Sequence, residues 1–569
     1  MRDLLAGLVR DALADAIAAG DIALAEVPEV FLERPRDPSH GDWATNIALV
    51  SAKAAGANPR ALADAIASRI AGHPDVAAVE VAGPGFINLR LSDAALQRVV
   101  EQVRAEGTDF GRVDPGRGRR VQVEFVSANP VGPMHVGHGR WAALGDSMAR
   151  VLAHAGWIVQ REFYVNDAGV QMDIFAKSVA ARYLQKCGRD VAFEDTWYQG
   201  AYIAEIAEEI FAAEGSVWAD AEPSAREAHF REKAYAQVLE HLKHVLHRMG
   251  VDFDVWFSER SLHAPGPTGR SEVDIAMDML RGAGHLYEKD GATWFASTAF
   301  PEYGDDKDRV LVKADGELTY FAADIAYHAD KFARGFDRVI NIWGADHHGY
   351  VARMKAACAA LGYPGQLDIV IGQMVTLLRG GEVVRMSKRT GEMVTFEELL
   401  DEVGADAARY FFLRRSTDQS LDFDIGLAKE QSSENPVYYV QYAHARICSI
   451  LRKAAGAPDA DEPAAAVAAR VTGGEADLSL LSDPAELTLI RKFAELPEVV
   501  EMAADQLAPY KLTRYAEDLA ATFHQFYTVC HVLSDDPALT AARLRLVDAS
   551  RITLATVLGL LGVAAPERM

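Results

Sequence analysis

Residues 127–140 read Ser-Ala-Asn-Pro-Val-Gly-Pro-Met-His-Val-Gly-His-Gly-Arg, and the reading of the chain turns on what this stretch holds. Upstream, 121–126 (Val-Gln-Val-Glu-Phe-Val) alternates as a strand does. Downstream, Trp141, Leu144, Met148, Val151 and Leu152 recur at helical spacing within 140–155. The stretch is therefore predicted to be a strand, a glycine-rich turn and the start of a helix. A helix N-terminus presents unpaired N–H groups and partial positive charge, and glycine lets a ligand approach the backbone, so the turn suits phosphate. His135 and His138 share a face of the first turn, and both can donate to phosphate oxygens without a lysine's permanent charge. The turn fits neither GxxxxGK[ST] nor GxGxxG. The competing reading is half a metal site: HxxH can bind zinc, yet no nearby carboxylate or cysteine completes the ligands.

A chain of 569 residues is too long for one hydrophobic core and should divide into three or four domains. Its balance of 50 % hydrophobic and 25 % charged residues is that of a soluble globular protein. No run of about 18 uncharged apolar residues occurs, so no membrane span is expected. Aspartates in the amphipathic first residues argue against a secretory or organellar leader. Cys187, Cys358, Cys448 and Cys530 have no paired spacing, which fits reduced thiols in a cytosol and neither disulfides nor a cysteine zinc site. A net charge of −24 disfavours a nucleic-acid partner on its own, although affinity comes from local basic patches.

Residues 1–115 read as an Ala-rich, helix-rich unit closing on the strand-like Phe86-Ile-Asn-Leu-Arg-Leu91, with a Pro/Gly/Arg linker at 114–120. Over 116–430 strands alternate with helices: 163–167, 338–343 running into Gly344-Ala-Asp-His-His-Gly-Tyr350, and 369–378. That alternation predicts a doubly wound parallel sheet with ligands outside the carboxyl ends of its strands. A largely helical insertion is expected at about 170–300. Residues 431–569 read as helical, with 456–474, rich in Ala, Pro, Asp and Gly, as a mobile loop. Within 380–391, glycines flank Arg385-Met-Ser-Lys388, where Met386 can pack and a swinging Lys388 suits a reaction that expels pyrophosphate. The alternative is an exposed basic turn.

HVGH at 135–138 and RMSK at 385–388 resemble the HIGH and KMSK signatures of class I aminoacyl-tRNA synthetases. Longer strings are more specific. YVNDAG (164–169), YFAADIAYH (320–328), WGADHHGY (343–350), DEVGADAARYFFLRRS (401–416) and NPVYYVQYAHAR (435–446) are similar to bacterial arginyl-tRNA synthetases. So are GDWATNIAL (41–49) and APERM (565–569), and the likeness runs over essentially the whole chain. Arg385 departs from the usual lysine but keeps the charge.

The resemblance implies a Rossmann-like class I catalytic core with an insertion, an α+β N-terminal domain and an all-α anticodon-binding bundle. It implies that arginine is joined to ATP, releasing pyrophosphate, and then passed to the terminal adenosine of tRNA(Arg). His135, His138 and Lys388 are then the catalytic residues, and Gly137, Gly344, Met386 and Ser387 join them around ATP. Glu124, Ser127, Asn129, His138, Tyr320, Asp324 and Asp346 are implied to hold L-arginine. A guanidinium does want in-plane carboxylates and an aromatic face. Taken alone, Glu124 reads as an outward strand charge, Asp324 as a surface helix acid and Tyr320 as core. His347 and His348 read equally as ligands or as a solvated strand end.

Phe86 and Asn88 are implied to touch the tRNA elbow, and Tyr438, Tyr442 and Arg446 the anticodon loop, where bases stack on aromatics. An aromatic stripe such as Tyr438, Tyr439, Tyr442 and His444 otherwise reads as core. Mg2+ is expected with ATP, no metal is expected on the protein itself, and a cytoplasmic monomer is implied. The rival readings are a small-molecule nucleotidylyltransferase sharing the histidine turn, a catalytically idle tRNA-binding paralogue, and a metal-dependent hydrolase.

Overall fold

The structure, a computed structural model, describes residues 1–35, 37–267, 269–384, 394–458 and 461–569. Val121 and Val123 are fully buried in the central strand of a five-stranded sheet. The strand order is Leu367–Gly372, Arg338–Gly344, Arg120–Glu124, Ile158–Val165, Val255–Ser258, and every neighbouring pair is parallel. The chain winds outward from the central strand to one edge, then returns to build the other side. The direction reverses between Arg120–Glu124 and Arg338–Gly344, so the crevice outside their carboxyl ends is the natural ligand position.

Both faces of the sheet are covered, so in the central strand the polar Gln122 and Glu124 are buried along with Val121 and Val123. Ile340 and Ile342 belong to the core that includes the Val136–His154 helix, through Ala142, Leu144, Met148 and Leu152. Val339 belongs to a second core with Phe321, Ile325, Ala326 and Met354, from the Tyr320–Ala333 and Val351–Ala360 helices.

The stretch read as a helical insertion at about 170–300 is more divided than its composition suggested. Helices Val170–Lys186, Ala201–Glu214 and Pro223–Arg248 are followed by Val255–Ser258, a strand of the central sheet itself. A separate antiparallel sheet of Leu286–Lys289, Ala292–Phe295 and Arg309–Val312 comes next. Val-Trp-Phe-Ser is too short to show any period, and only pairing with Ile158–Val165 makes it a strand.

Among its described residues the first unit has an antiparallel sheet of Trp43–Thr45, Phe86–Leu91 and Val76–Ala82, covered by helices Ile47–Ala55 and Pro59–Ile70. Arg2–Ala18 packs on the latter helix, while the Asp93–Glu106 helix packs on Pro484–Ala494 and Pro537–Leu561. Among the described residues, six α-helices from Pro436–Ala454 to Pro537–Leu561 form the terminal bundle. One of them, Ala464–Val471, replaces the loop expected within 456–474. Ala464, Val467 and Ala468 bury one face of it, and Glu567 accepts the backbone N–H of Ala464 at 2.8 Å.

The bundle is fastened to the catalytic core at the carboxyl end of its last helix. Ser147 Oγ donates to the Leu560 carbonyl at 2.9 Å and Arg409 Nε to the Leu561 carbonyl at 3.0 Å. Arg409 also donates to the Met249 carbonyl and pairs with Asp146, with neither side chain exposed by more than 2 %. Burial alone would raise the Asp146 carboxyl, but Arg409, Arg150 and Arg161 outweigh it and hold it below the usual range. Removing one partner of a buried pair leaves the other uncompensated, so Asp146→Ala is expected to destabilise the core by about 3–5 kcal/mol. The measurement is the urea midpoint for loss of catalytic-core structure, compared with the unsubstituted chain.

Candidate active site

The central strand ends in a tight turn that carries strain. Val126 and Ser127 have φ of 67° and 40°, left-handed values that non-glycine residues seldom adopt. Ser127 N–H donates to the Phe125 carbonyl at 2.9 Å. Its hydroxyl donates to Glu124 Oε1 at 2.9 Å and accepts the Tyr164 N–H at 3.1 Å. The turn is over-determined by these bonds, which lock it to the neighbouring strand.

The helix begins at Val136, earlier than the apolar spacing indicated, so HVGH forms its cap and first turn. His135 is the N-cap, and its N–H donates to His138 Nδ1 at 3.2 Å. That bond places the proton of a neutral His138 ring on Nε2. The two rings stack at 3.7 Å, and Trp141 meets them edge-on at 5.8 and 5.3 Å. The same indole fills a notch between Gly344 and Gly372, the paired last residues of two sheet strands. A Cβ at Gly372 would overlap the indole, and one at Gly344 would lie 3.0 Å from it. Two strand ends, the indole and the imidazole pair are thus one packed unit.

Met386, Ser387 and Lys388 lie outside the described residues, as does Arg385. The chain on either side of them is anchored. Val384 N–H donates to the Leu377 carbonyl at 2.9 Å, and Thr395 forms a bridge with His135. Phe396 N–H donates to the Met134 carbonyl at 2.9 Å, and its buried ring lies where a Cβ of Gly139 would be. Lys388 precedes Thr395 by seven residues. Full extension over that length is about 25 Å.

Toward the same carboxyl ends of the sheet strands lies an acidic, aromatic cluster of Asp324, Tyr350, Glu259 and Tyr164. Asp324 accepts from the Tyr350 hydroxyl at 2.7 Å, while Tyr320, a turn earlier on the same helix, is 65 % exposed. Asp324 is pushed up to about 7, chiefly by burial and then by Glu259 and Glu124, against Tyr350 and Lys331. Glu259 is 5 % exposed, directly after the Val255–Ser258 strand, and is itself raised by burial, with Asp167 adding. Tyr164 lies near Glu259 and packs its ring 4.5 Å from Tyr327. Buried carboxylates with raised proton affinity form a site that a cation relieves.

Glu259 was not singled out from the sequence. The signal for it was an acid at the carboxyl end of a short aromatic run, legible only once that run is a sheet strand. Glu124, also buried, binds Ser127 and Lys331. Asn129 is exposed, with its amide on Gln171 at 2.8 Å. Asp346 is 78 % exposed, 3.1 Å from His347 Nδ1, and follows the strand end at Gly344. His348 is exposed. Among the described residues no group of three or more His, Cys, Asp or Glu is arranged to hold a metal ion.

The other candidates lie away from this crevice. Phe86 is half-buried, whereas Asn88, on the same strand, is 6 % exposed and offers little surface. On the bundle, Tyr438, Tyr439, Tyr442, Arg446, His524 and Tyr527 line an open hollow of about 560 Å³. Arg446 lies over Tyr527 at 4.7 Å, and Tyr438 and Tyr442 are nearly parallel, 6.1 Å apart. His444 is core instead, its Nδ1 bonded to the Pro566 carbonyl at 2.9 Å.

A parallel sheet with paired histidines capping the helix after its central strand is the architecture of a class I synthetase. Residues 100–425 match the family model described as tRNA synthetases class I (R), catalytic domain. Residues 3–91 match the arginyl tRNA synthetase N terminal domain, and 440–569 the DALR anticodon binding domain. A curated arginine–tRNA ligase of Heliobacterium modesticaldum is 51 % identical over 570 residues, covering 100 % of this chain and 99 % of its own. One from Moorella thermoacetica is 52 % identical over 567 residues, with 99 % and 98 % covered. The solved arginyl-tRNA synthetase of Thermus thermophilus shares the fold, with a TM-score of 0.74 at 24 % identity and 100 % of each chain covered. The chain belongs to the arginyl-tRNA synthetase family.

Gly139→Ala puts a methyl group into the Phe396 ring and is expected to cost about 1–3 kcal/mol by overpacking. Thermal melting measures the loss.

Proposed function

We propose that the chain is an ATP-dependent ligase that activates L-arginine as arginyl-adenylate and transfers it to the 3′-terminal adenosine of tRNA(Arg). The observation that carries this reading is the placement of a phosphate-suited histidine turn and a cluster of buried carboxylates at the carboxyl ends of one parallel sheet. In the first step an arginine carboxylate oxygen bonds to the α-phosphorus while the bond from that phosphorus to the bridging oxygen breaks. Pyrophosphate leaves with the electron pair.

His135, His138 and the helix N-terminal amides at Gly137 are the donors for the charge that develops. Lys388, with Met386 and Ser387, is assigned to the departing phosphates, and Gly344 to the nucleotide. Mg2+ is assigned to the ATP phosphates, where it keeps most of its water, rather than to a protein cage. In the second step a ribose hydroxyl of the tRNA attacks the adenylate carbonyl and AMP leaves.

Asp324 and Glu259 are assigned to the guanidinium, with Tyr320 over its face. Glu124 is assigned to the side chain with them, and Ser127, Asn129, His138 and Asp346 to the rest of the amino acid. Phe86 is assigned to the tRNA elbow, while the burial of Asn88 leaves it a supporting strand position. Tyr438, Tyr442 and Arg446 are assigned to the anticodon loop, as stacking surface and cation beside the hollow. No helix among the described residues is long and apolar enough to cross a membrane, and a cytoplasmic monomer is the working form assigned here.

Charging of total tRNA with each amino acid tests the reading. Arginine should be the one esterified, with lysine rejected by about 10⁴-fold because it leaves the bidentate partners unfilled. Comparable use of lysine overturns it. Lys388→Ala should slow pyrophosphate exchange by about a hundredfold or more with little change in arginine affinity. Arginine binding favours ionised Asp324, whose carboxyl titrates at about 7 in the empty site. Affinity should therefore be full above that pH and fall by roughly tenfold per unit below it, one proton being released on binding. Calorimetry in buffers of different ionisation heat reads that proton directly.

A further inference from the structure

Lys331 is 0 % exposed, which is unusual for a lysine and needs an explanation. Its ammonium donates to Glu124 Oε2 at 2.6 Å and to Asn341 Oδ1 at 2.8 Å, and lies 4.3 Å over the Tyr327 ring. Asn341, also fully buried, donates Nδ2 to His328 Nε2 at 2.8 Å. His328 is pushed down to about 3 by burial and then by Lys331, so the ring is neutral. With Nε2 accepting, its Nδ1–H donates to the Asp324 carbonyl at 2.7 Å. Glu124 Oε1 takes the Ser127 hydroxyl at the other end.

One uninterrupted line of hydrogen bonds therefore runs from the strained turn through the central strand, the Tyr320–Ala333 helix and the Arg338–Gly344 strand. Donors and acceptors along it alternate correctly. Tyr320, Asp324, Tyr327 and Lys331 recur at the spacing of a single helix face, so the ammonium sits on the face that builds the pocket.

We propose that Lys331 is a positioning residue for the amino-acid substrate: a built-in cation that pairs with buried Glu124 and sets the Tyr320–Asp324 face against the central strand. The proposal rests on the arginine reading above. Surface burial alone gives no reason for a charge here, since an apolar side chain of similar length fills the same space at lower desolvation cost. The ammonium also acts on Asp324, whose other charged or titratable neighbours are Glu259, Glu124 and Tyr350.

The test is steady-state charging of tRNA by Lys331→Met as a function of pH. The arginine KM at pH 7 should rise at least about tenfold, the effect of one pKa unit at a binding carboxylate, with ATP KM and kcat near those of the unsubstituted chain. The pH below which arginine KM climbs should also move upward. Glu124→Gln combined with Lys331→Met removes both buried charges and guards against a failure to fold. That double variant should melt normally, and its arginine KM should exceed that of Glu124→Gln alone, which loses its own contact with the substrate. An unchanged arginine KM in Lys331→Met, a parallel loss in ATP and arginine parameters, or an arginine KM in the double variant no higher than that of Glu124→Gln alone overturns the role. Failure of the arginine reading itself is separately visible, because the unsubstituted chain would then not charge tRNA with arginine.

Discussion

The N-terminus of the Val136–His154 helix has to sit within bonding reach of two parallel strand ends, and the indole of Trp141 provides the seat. It lies against Gly344 and Gly372 on one side and meets the stacked rings of His135 and His138 edge-on at the other. The helix is fixed again by Phe396, packed where Gly139 lacks a side chain, and by the Thr395–His135 bridge. Thr395 and Phe396, about 260 residues further along the chain than His135, are thereby held at the histidine turn by ordinary packing. Close packing of this kind holds the two imidazoles and the helix N-terminus rigid relative to the strand ends.

The excess of acid, −24 overall, looked unfavourable for a chain that handles RNA. Part of it has an internal use. Glu124, Glu162, Glu259 and Asp324 are concentrated around the pocket, with Lys331 and Arg334 as resident cations. The balance of those charges sets how strongly the pocket demands a further cation. Net charge over the whole chain therefore says little about either ligand.

Much of the architecture was legible, because the features that position the site have short-range signatures. The alternating 121–126 run, the glycines around the histidines and the apolar spacing after Arg140 marked strand, turn and helix correctly. Illegible were features that exist only through tertiary partners. Val255–Ser258 is too brief to carry a period, and Glu259 acquires meaning only when that strand is placed. Lys331 reads as one more polar residue on a helix until burial pairs it with Glu124. Ala464–Val471 was hidden by flanking prolines and glycines, which suggest a loop while the small apolar face between them packs. Among the bundle aromatics, spacing alone could not separate core His444 from the exposed ring of Tyr442.

The joint at the end of the last helix bears on how such a molecule can be recombined. Its terminal carbonyls are gripped by Ser147 and Arg409, and Gly562 leaves the room in which that guanidinium lies. A bundle borrowed from a distant relative brings its own helix terminus but not the socket that receives it. Grafting another bundle onto this core therefore has to supply carbonyls that Ser147 and Arg409 can grip and a small residue at position 562.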